Sequence, residues 1–144
     1  MHDNERIGFE SFFEDKKMIR VQEMQPLVLA MIGDSVQTLF VRKYVALTYG
    51  VKVNKMNKYV SSVVSAGSQF KTFKKIEETL SEQEQDIARR ARNTHIHSKS
   101  KNFSITEYIY ATALEAVIGY LYLLGEEERL NEILTISLEE MKVE

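Results

Sequence analysis

Apolar residues recur along most of this chain at intervals of three and four, the repeat of one face of an α-helix. The longest such stretch runs from Leu27 to about Tyr49, begins just after Pro26 and stops at Gly50. Proline suits a first helical turn, where its missing N–H would be unpaired anyway, and glycine suits the position beyond a helix end. Further helices are expected over about Asn54–Ser65 and Ser68–Leu80, the second carrying Phe70, Phe73, Ile76 and Leu80 at helical spacing. Ser81 followed by Glu84 forms a capping box that opens a helix to about Arg92. Ser104 followed by Glu107 forms another, opening a helix that ends near Gly125. A last helix is expected over Glu126–Met141, with Leu130, Ile133, Leu134, Ile136 and Leu138 as its apolar positions. The stretch Asn93–Ser104 has no apolar period and reads as a loop. Residues 1–24 mix Phe9, Phe12, Phe13, Met18, Ile19 and Val21 with many charges and predict a short amphipathic helix.

These elements make an all-α chain. One proline and six glycines in 144 residues are too few for a turn-rich β sandwich or barrel. That length fits one domain, placed at residues 25–144, with residues 1–24 as an extension. The most apolar segment, Tyr108–Leu124, is interrupted by Thr112, Glu115 and Gly119 and falls short of the ~20 residues of a membrane span. It predicts a buried core helix. The N-terminus MHDNERIGFE is too charged for a signal peptide, so the cytoplasm is the expected location. Cysteine is absent, which excludes disulfides, zinc-thiolate sites and thiol catalysis. Any metal would be held by oxygen or imidazole ligands, which points to Mg²⁺ or Mn²⁺.

The formal net charge of −2 gives no sign of a nucleic-acid binder, but the distribution of charge does. Arg89, Arg90, Arg92, Lys99 and Lys101 fall in one stretch without an acidic residue. A solvated helix end and loop would look the same. His95 and His97 lie in the same stretch, but a loop is a poor platform for acid–base groups, so neither is assigned a catalytic role.

Two carboxylates stand in unusual surroundings. Asp34 lies within LVLAMIGDSVQTLF and Glu115 within YIYATALEAVIGYLYLL, and neither segment holds a basic residue to pair with them. Burying an unpaired charge is costly. A hard divalent cation between two facing carboxylates would offset that cost. On helical spacing the flanking positions are Ala30 and Thr38 for one acid, Ala111 and Gly119 for the other, small residues that would leave room for a hydrated metal and a phosphate. A hydrogen bond from each acid to a neighbouring backbone or tyrosine hydroxyl is the alternative.

At these residues the chain resembles the ribonuclease III family. Gly33-Asp34-Ser35-Val36 resembles the end of that family's signature helix, and Glu115-Ala116-Val117-Ile118-Gly119 its second acidic motif. The chain is most similar to the Mini-III branch, which lacks a double-stranded-RNA-binding domain. The resemblance is carried by Leu29–Asp34, Val64–Gln69, Arg89–Asn93, Lys101-Asn102 and Tyr108–Leu123, in order, and covers roughly residues 25–140. Leu27, Ala30 and Thr112 stand where the larger enzymes carry further carboxylates, a loss typical of the Mini-III branch. Gly67 stands where a lysine is common in that branch, and Ile109 where a basic residue is often found.

The resemblance implies the ribonuclease III endonuclease fold and an endoribonuclease that cuts double-stranded RNA by Mg²⁺-dependent phosphodiester hydrolysis, with Mn²⁺ able to substitute. Asp34 and Glu115 would be the catalytic metal ligands. Ser65, Gln69, Arg89, Arg90, Arg92, Asn93, Lys99, Lys101 and Asn102 would meet the RNA, since duplex RNA is read mainly through its shape, phosphates and 2′-hydroxyls. The family further implies a homodimer, with Met31 at the interface, and the precursor of 23S ribosomal RNA as substrate, a role compatible with a ribosomal protein as accessory partner. A non-catalytic duplex-RNA-binding protein of the same fold and a helical protein-interaction module are the rival readings.

Overall fold

The computed structural model describes residues 9–14, 19–94 and 103–143. Pro26 sits in the first turn of helix α1 (Pro26–Tyr49), and Gly50, at φ 58°, takes the left-handed conformation that ends it. The next two helices, α2 (Val53–Val64) and α3 (Ala66–Ile76), meet at Ser65. Its extended backbone closes the first, and its hydroxyl accepts the N–H of Ser68 to open the second. The periodic stretch expected to reach Leu80 divides here, because α3 tightens into a 3-10 turn at Glu77–Thr79.

Ser81 opens α4 (Glu82–Asn93) with a complete capping box: the Glu84 N–H donates to the Ser81 hydroxyl and the Ser81 N–H to the Glu84 carboxylate, each at 3.1 Å. Glu84 is buried, and the Arg129 guanidinium pairs with the same carboxylate at 3.0 Å. The last two helices are α5 (Phe103–Leu124) and α6 (Glu127–Ser137), the latter followed by a 3-10 turn at Leu138–Glu140. The start of α5 differs from the expectation. Helix begins at Phe103, and the Glu107 carboxylate lies beside Gly67 of α3, 3.6 Å from where a β-carbon on that glycine would sit.

No strand occurs among the described residues, as the all-α reading requires. α5 is the axis of the molecule, packed against α1, α3, α4 and α6. Every residue from Ala111 to Leu121 is buried except Glu115. The main core gathers Leu29, Phe73, Ile76, Ile87, Leu114 and Ile118 around this helix. A second cluster, Val41, Val45, Tyr59, Val60 and Val63, joins the far half of α1 to α2. Among the described residues no helix is long and apolar enough to cross a membrane.

In the N-terminal segment the described residues depart from the sequence reading, and residues 1–8 and 15–18 lie outside them. The described residues form two short 3-10 turns, Glu10–Phe13 and Val21–Glu23, rather than an amphipathic α-helix. Phe9, Phe12, Phe13 and Ile19 are exposed, so no continuous apolar face is buried to hold a helix in place. The segment is tied down pointwise instead. Val21 and Met24 pack on the main core, the Arg90 guanidinium donates to the main-chain oxygens of Gln22 (3.0 Å) and Met24 (2.9 Å), and the Tyr122 hydroxyl donates to the Glu10 carboxylate.

Candidate active site

The site begins with two glycines. A β-carbon built on Gly33 would fall on the main-chain carbonyl of Glu115 and lie 2.9 Å from the Gly119 nitrogen. One built on Gly119 would fall on the Leu29 carbonyl and lie 3.0 Å from the Gly33 nitrogen. α1 and α5 therefore cross in backbone contact. Small residues here serve to admit a neighbouring main chain rather than to leave room beside the acids, because Ala30, Ala111 and Gly119 are all buried in the packing.

The crossing brings Asp34, next to Gly33, against Glu115, one turn before Gly119. Glu115 is half-buried and Asp34 is exposed, so burial of both acids does not hold. The buried stripe of α1 runs through Leu29, Ala30, Gly33, Gln37, Val41 and Val45, and Asp34 lies one residue off it. Glu115 titrates well above the usual carboxylate range, at about 7. Burial is the largest cause; the Gln69 amide opposes it, and the Asp34 carboxylate adds to it by its charge and by a hydrogen bond. Among the described residues no third carboxylate or histidine completes a three-ligand cluster around the pair.

Gln69 is the largest departure from the expected RNA contacts. It is 3% exposed, and its Nε2 donates to Gln37 Oε1 at 2.9 Å and to Glu115 Oε2 at 3.2 Å. It faces inward because α3 packs directly on α5. Gln37, fully buried, escaped the sequence reading, although a glutamine in an apolar run one turn after Asp34 was a visible signal. Ser65 is exposed at the start of α3.

Of the basic residues, Arg89 is exposed and paired with Asp86. Arg90 is largely withdrawn from the surface role expected of it, held by Gln22, Met24 and Asp86. Arg92 lies over the Tyr110 ring at 5.6 Å, and Lys74, which was not singled out, lies over the same ring at 4.5 Å. Asn93 is exposed at the end of α4. Lys99, Lys101 and Asn102 lie outside the described residues, as do His95 and His97. Met31 is 73% exposed on α1.

This geometry meets a matching family. Residues 27–126 match the ribonuclease III domain, which spans the crossing, both acids and α3. The chain belongs to the ribonuclease III family. It is 40% identical to a Mini-ribonuclease 3 of Thermoanaerobacter over 89% of this chain and 92% of that protein. It is 43% identical to a Mini-ribonuclease 3 of Clostridium tetani over 82% of this chain and 79% of that one. A crystal structure of a Fusobacterium nucleatum protein, 38% identical, superposes with a TM-score of 0.72, covering 83% of this chain and 95% of that one. The assignment makes the chain a ribonuclease rather than a helical interaction module.

Proposed function

We propose that the chain is an endoribonuclease that cleaves double-stranded RNA by Mg²⁺-dependent hydrolysis, acting as a homodimer in the cytoplasm on the precursor of 23S ribosomal RNA. One observation carries the reading: Asp34 and Glu115 face each other across the backbone crossing of α1 and α5, and among the described residues no cation pairs with either. The donor set fits Mg²⁺. This ion takes oxygen ligands, commonly from one or two carboxylates, and completes its shell with water and substrate phosphate. Mn²⁺ suits the same ligands. The unfavourable ionisation of Glu115 near neutrality is the expected mark of a carboxylate that lacks its counter-charge.

When bound, the metal supplies charge neutralisation on the phosphate and acidifies water. The remaining tasks fall to the chain. Asp34, exposed, offers its carboxylate at the surface where a duplex would lie, while Glu115 stays anchored in the core helix. The rigid crossing at Gly33 and Gly119 fixes the distance between the two helices that carry them. Arg89, Arg92, Asn93 and Ser65, together with Lys99, Lys101 and Asn102 outside the described residues, would meet the phosphates and 2′-hydroxyls. Leu27, Val28, Met31 and Leu39 leave apolar surface exposed on α1, the helix of Asp34, and a second copy would cover it.

The test is incubation of the purified protein with a long RNA duplex in Mg²⁺, in Mn²⁺ and in EDTA, followed by the 23S precursor. Metal-dependent cleavage of the duplex, with single strands spared, supports the reading. Cleavage that persists in EDTA, or a duplex left intact in both metals, defeats it.

A further inference from the structure

The buried amides beside Glu115 are not used by the reading above. Gln37 on α1 is fully buried, Gln69 on α3 nearly so, and each comes from a different helix from Glu115 on α5. The Gln69 nitrogen has two hydrogens, and both are engaged: one on Gln37 Oε1 at 2.9 Å, one on Glu115 Oε2 at 3.2 Å. The order of these amides is fixed by donor and acceptor logic. Turning Gln37 over would set its NH₂ against the NH₂ of Gln69. Turning Gln69 over would set its carbonyl oxygen against both the Gln37 carbonyl and the carboxylate. Turning both over would keep their mutual bond but set the Gln69 carbonyl oxygen against the Glu115 carboxylate, so only one arrangement satisfies the pair and the carboxylate together, and it ends in a donor aimed at Glu115.

That arrangement has a cost that packing alone would not select. The Gln37 Nε2 is buried without a hydrogen-bond partner among the described residues, as is the Thr72 hydroxyl one turn beyond Gln69. Apolar side chains would fill the same helix interfaces without stranding a polar group. A polar pair retained at such a place is explained by what it holds.

We infer that Gln69 is a positioning residue that sets the orientation of the Glu115 carboxylate, and that Gln37 acts through Gln69 by fixing the direction of its amide. The inference rests on the reading of Asp34 and Glu115 as the metal-binding pair. Glu115 has a long, flexible side chain, and a ligand of this kind binds well only when its rotamer is locked by a second hydrogen-bonding partner.

The test uses the near-isosteric variants Gln69→Met, Gln37→Met and the double variant, each measured three ways. Mn²⁺ affinity is read by calorimetry, kcat and KM on an RNA duplex, and melting temperature in EDTA. Gln69→Met should weaken Mn²⁺ binding and lower kcat by about 10–100-fold, the usual effect of removing such a partner, with KM for the duplex little changed. Gln37→Met should move both readouts in the same direction by less, while its melting temperature changes little, because the unpartnered Gln37 donor that goes is replaced by a Gln69 hydrogen left without its acceptor. A purely structural role would lower melting temperature and leave metal affinity alone. The double variant should be no worse than Gln69→Met, since Gln37 acts only through it. Wild-type metal affinity in folded Gln69→Met, or independent effects that multiply in the double variant, overturns the relay while leaving the nuclease reading in place. If Gln69→Met folds poorly, an unchanged Mn²⁺ affinity in Gln37→Met overturns it equally. Wild-type protein that neither binds Mn²⁺ nor cleaves duplex removes the nuclease reading and the relay together.

Discussion

Gly33 stands in direct contact with the main chain of Glu115, so closely that a methyl group in place of its hydrogen would overlap the Glu115 carbonyl oxygen. The obstacle is backbone within a buried helix, not the tip of a side chain that could swing aside. Gly33→Ala should therefore exceed the usual 1–3 kcal/mol of overpacking, with a loss of about 3 kcal/mol or more in chemical denaturation. Because the clash is at Glu115 itself, activity should fall even in the folded fraction. A variant with wild-type stability would show that the helices do not cross this closely.

The acids themselves give a sharper separation of roles. Asp34→Asn and Glu115→Gln keep shape and remove charge, so each should abolish duplex cleavage while duplex binding in a gel-shift assay stays near that of the wild type. Robust cleavage by either purified variant would remove the pair from the chemistry.

How much of this was legible in the sequence follows from which forces act locally. Helix ends were, because Pro26, Gly50 and Ser81 carry their own stop and start signals. The pairing of Asp34 with Glu115 was legible as two acids without cations, since charge in an apolar run is conspicuous. Their unequal exposure was not, as it depends on which stripe of α1 meets α5, and Asp34 lies one residue off that stripe. Gln69 was misread as a surface contact for the same reason: polarity marks a residue as unusual without saying whether it faces water or a buried partner. The use of Gly33 and Gly119 as a backbone crossing required the two helices to be docked.

The raised titration of Glu115 predicts a pH dependence with a definite sign. In the unfolded chain this carboxyl loses its proton near 4.5, in the fold near 7. Between these values the folded chain binds a proton that the unfolded chain has released. Stability in EDTA should thus be fully present below about 4.5, fall as pH rises towards 7, and level off above it. The quantity to measure is the difference from Glu115→Gln, which lacks this group and should not show the fall. Adding Mg²⁺ above pH 7 should reverse it. A difference that is flat across the window would mean that Glu115 is not held away from water beside Asp34.

Arg90 provides a contrast between its two candidate roles. Its guanidinium bonds two main-chain oxygens of the N-terminal segment and pairs with Asp86 at 3.5 Å. Arg90→Ala should cost about 1–2 kcal/mol of stability, the lower part of the range for hydrogen bonds from a charged group, since the side chain is partly solvated. Arg89→Ala, whose exposed pair with Asp86 contributes little, should leave stability within about 0.5 kcal/mol. If Arg89 meets phosphate, its loss should instead reduce the salt dependence of duplex binding by about one counterion. Equal stability of the two variants would argue against the clamp.

Assembly is the last consequence, and it follows from one carboxylate pair per chain. A single pair would attack one strand, so cutting both strands in one encounter would need a second copy placed by a two-fold axis. The surface that would serve it is on α1: Met31 is 73% exposed, with Leu27, Val28 and Leu39 each about half exposed on the same helix that carries Asp34. Water-exposed apolar groups gathered on one core helix are costly unless covered. Met31→Asp would set an unpaired charge into that contact, and burying it is more costly than the loss of the methionine. The variant should scatter light as a monomer and lose double-strand cleavage. Its Mn²⁺ affinity per chain should persist, because Asp34 and Glu115 remain. Fully active wild-type protein that is monomeric at assay concentration would refute the dimer, and a dimeric Met31→Asp would move the interface elsewhere.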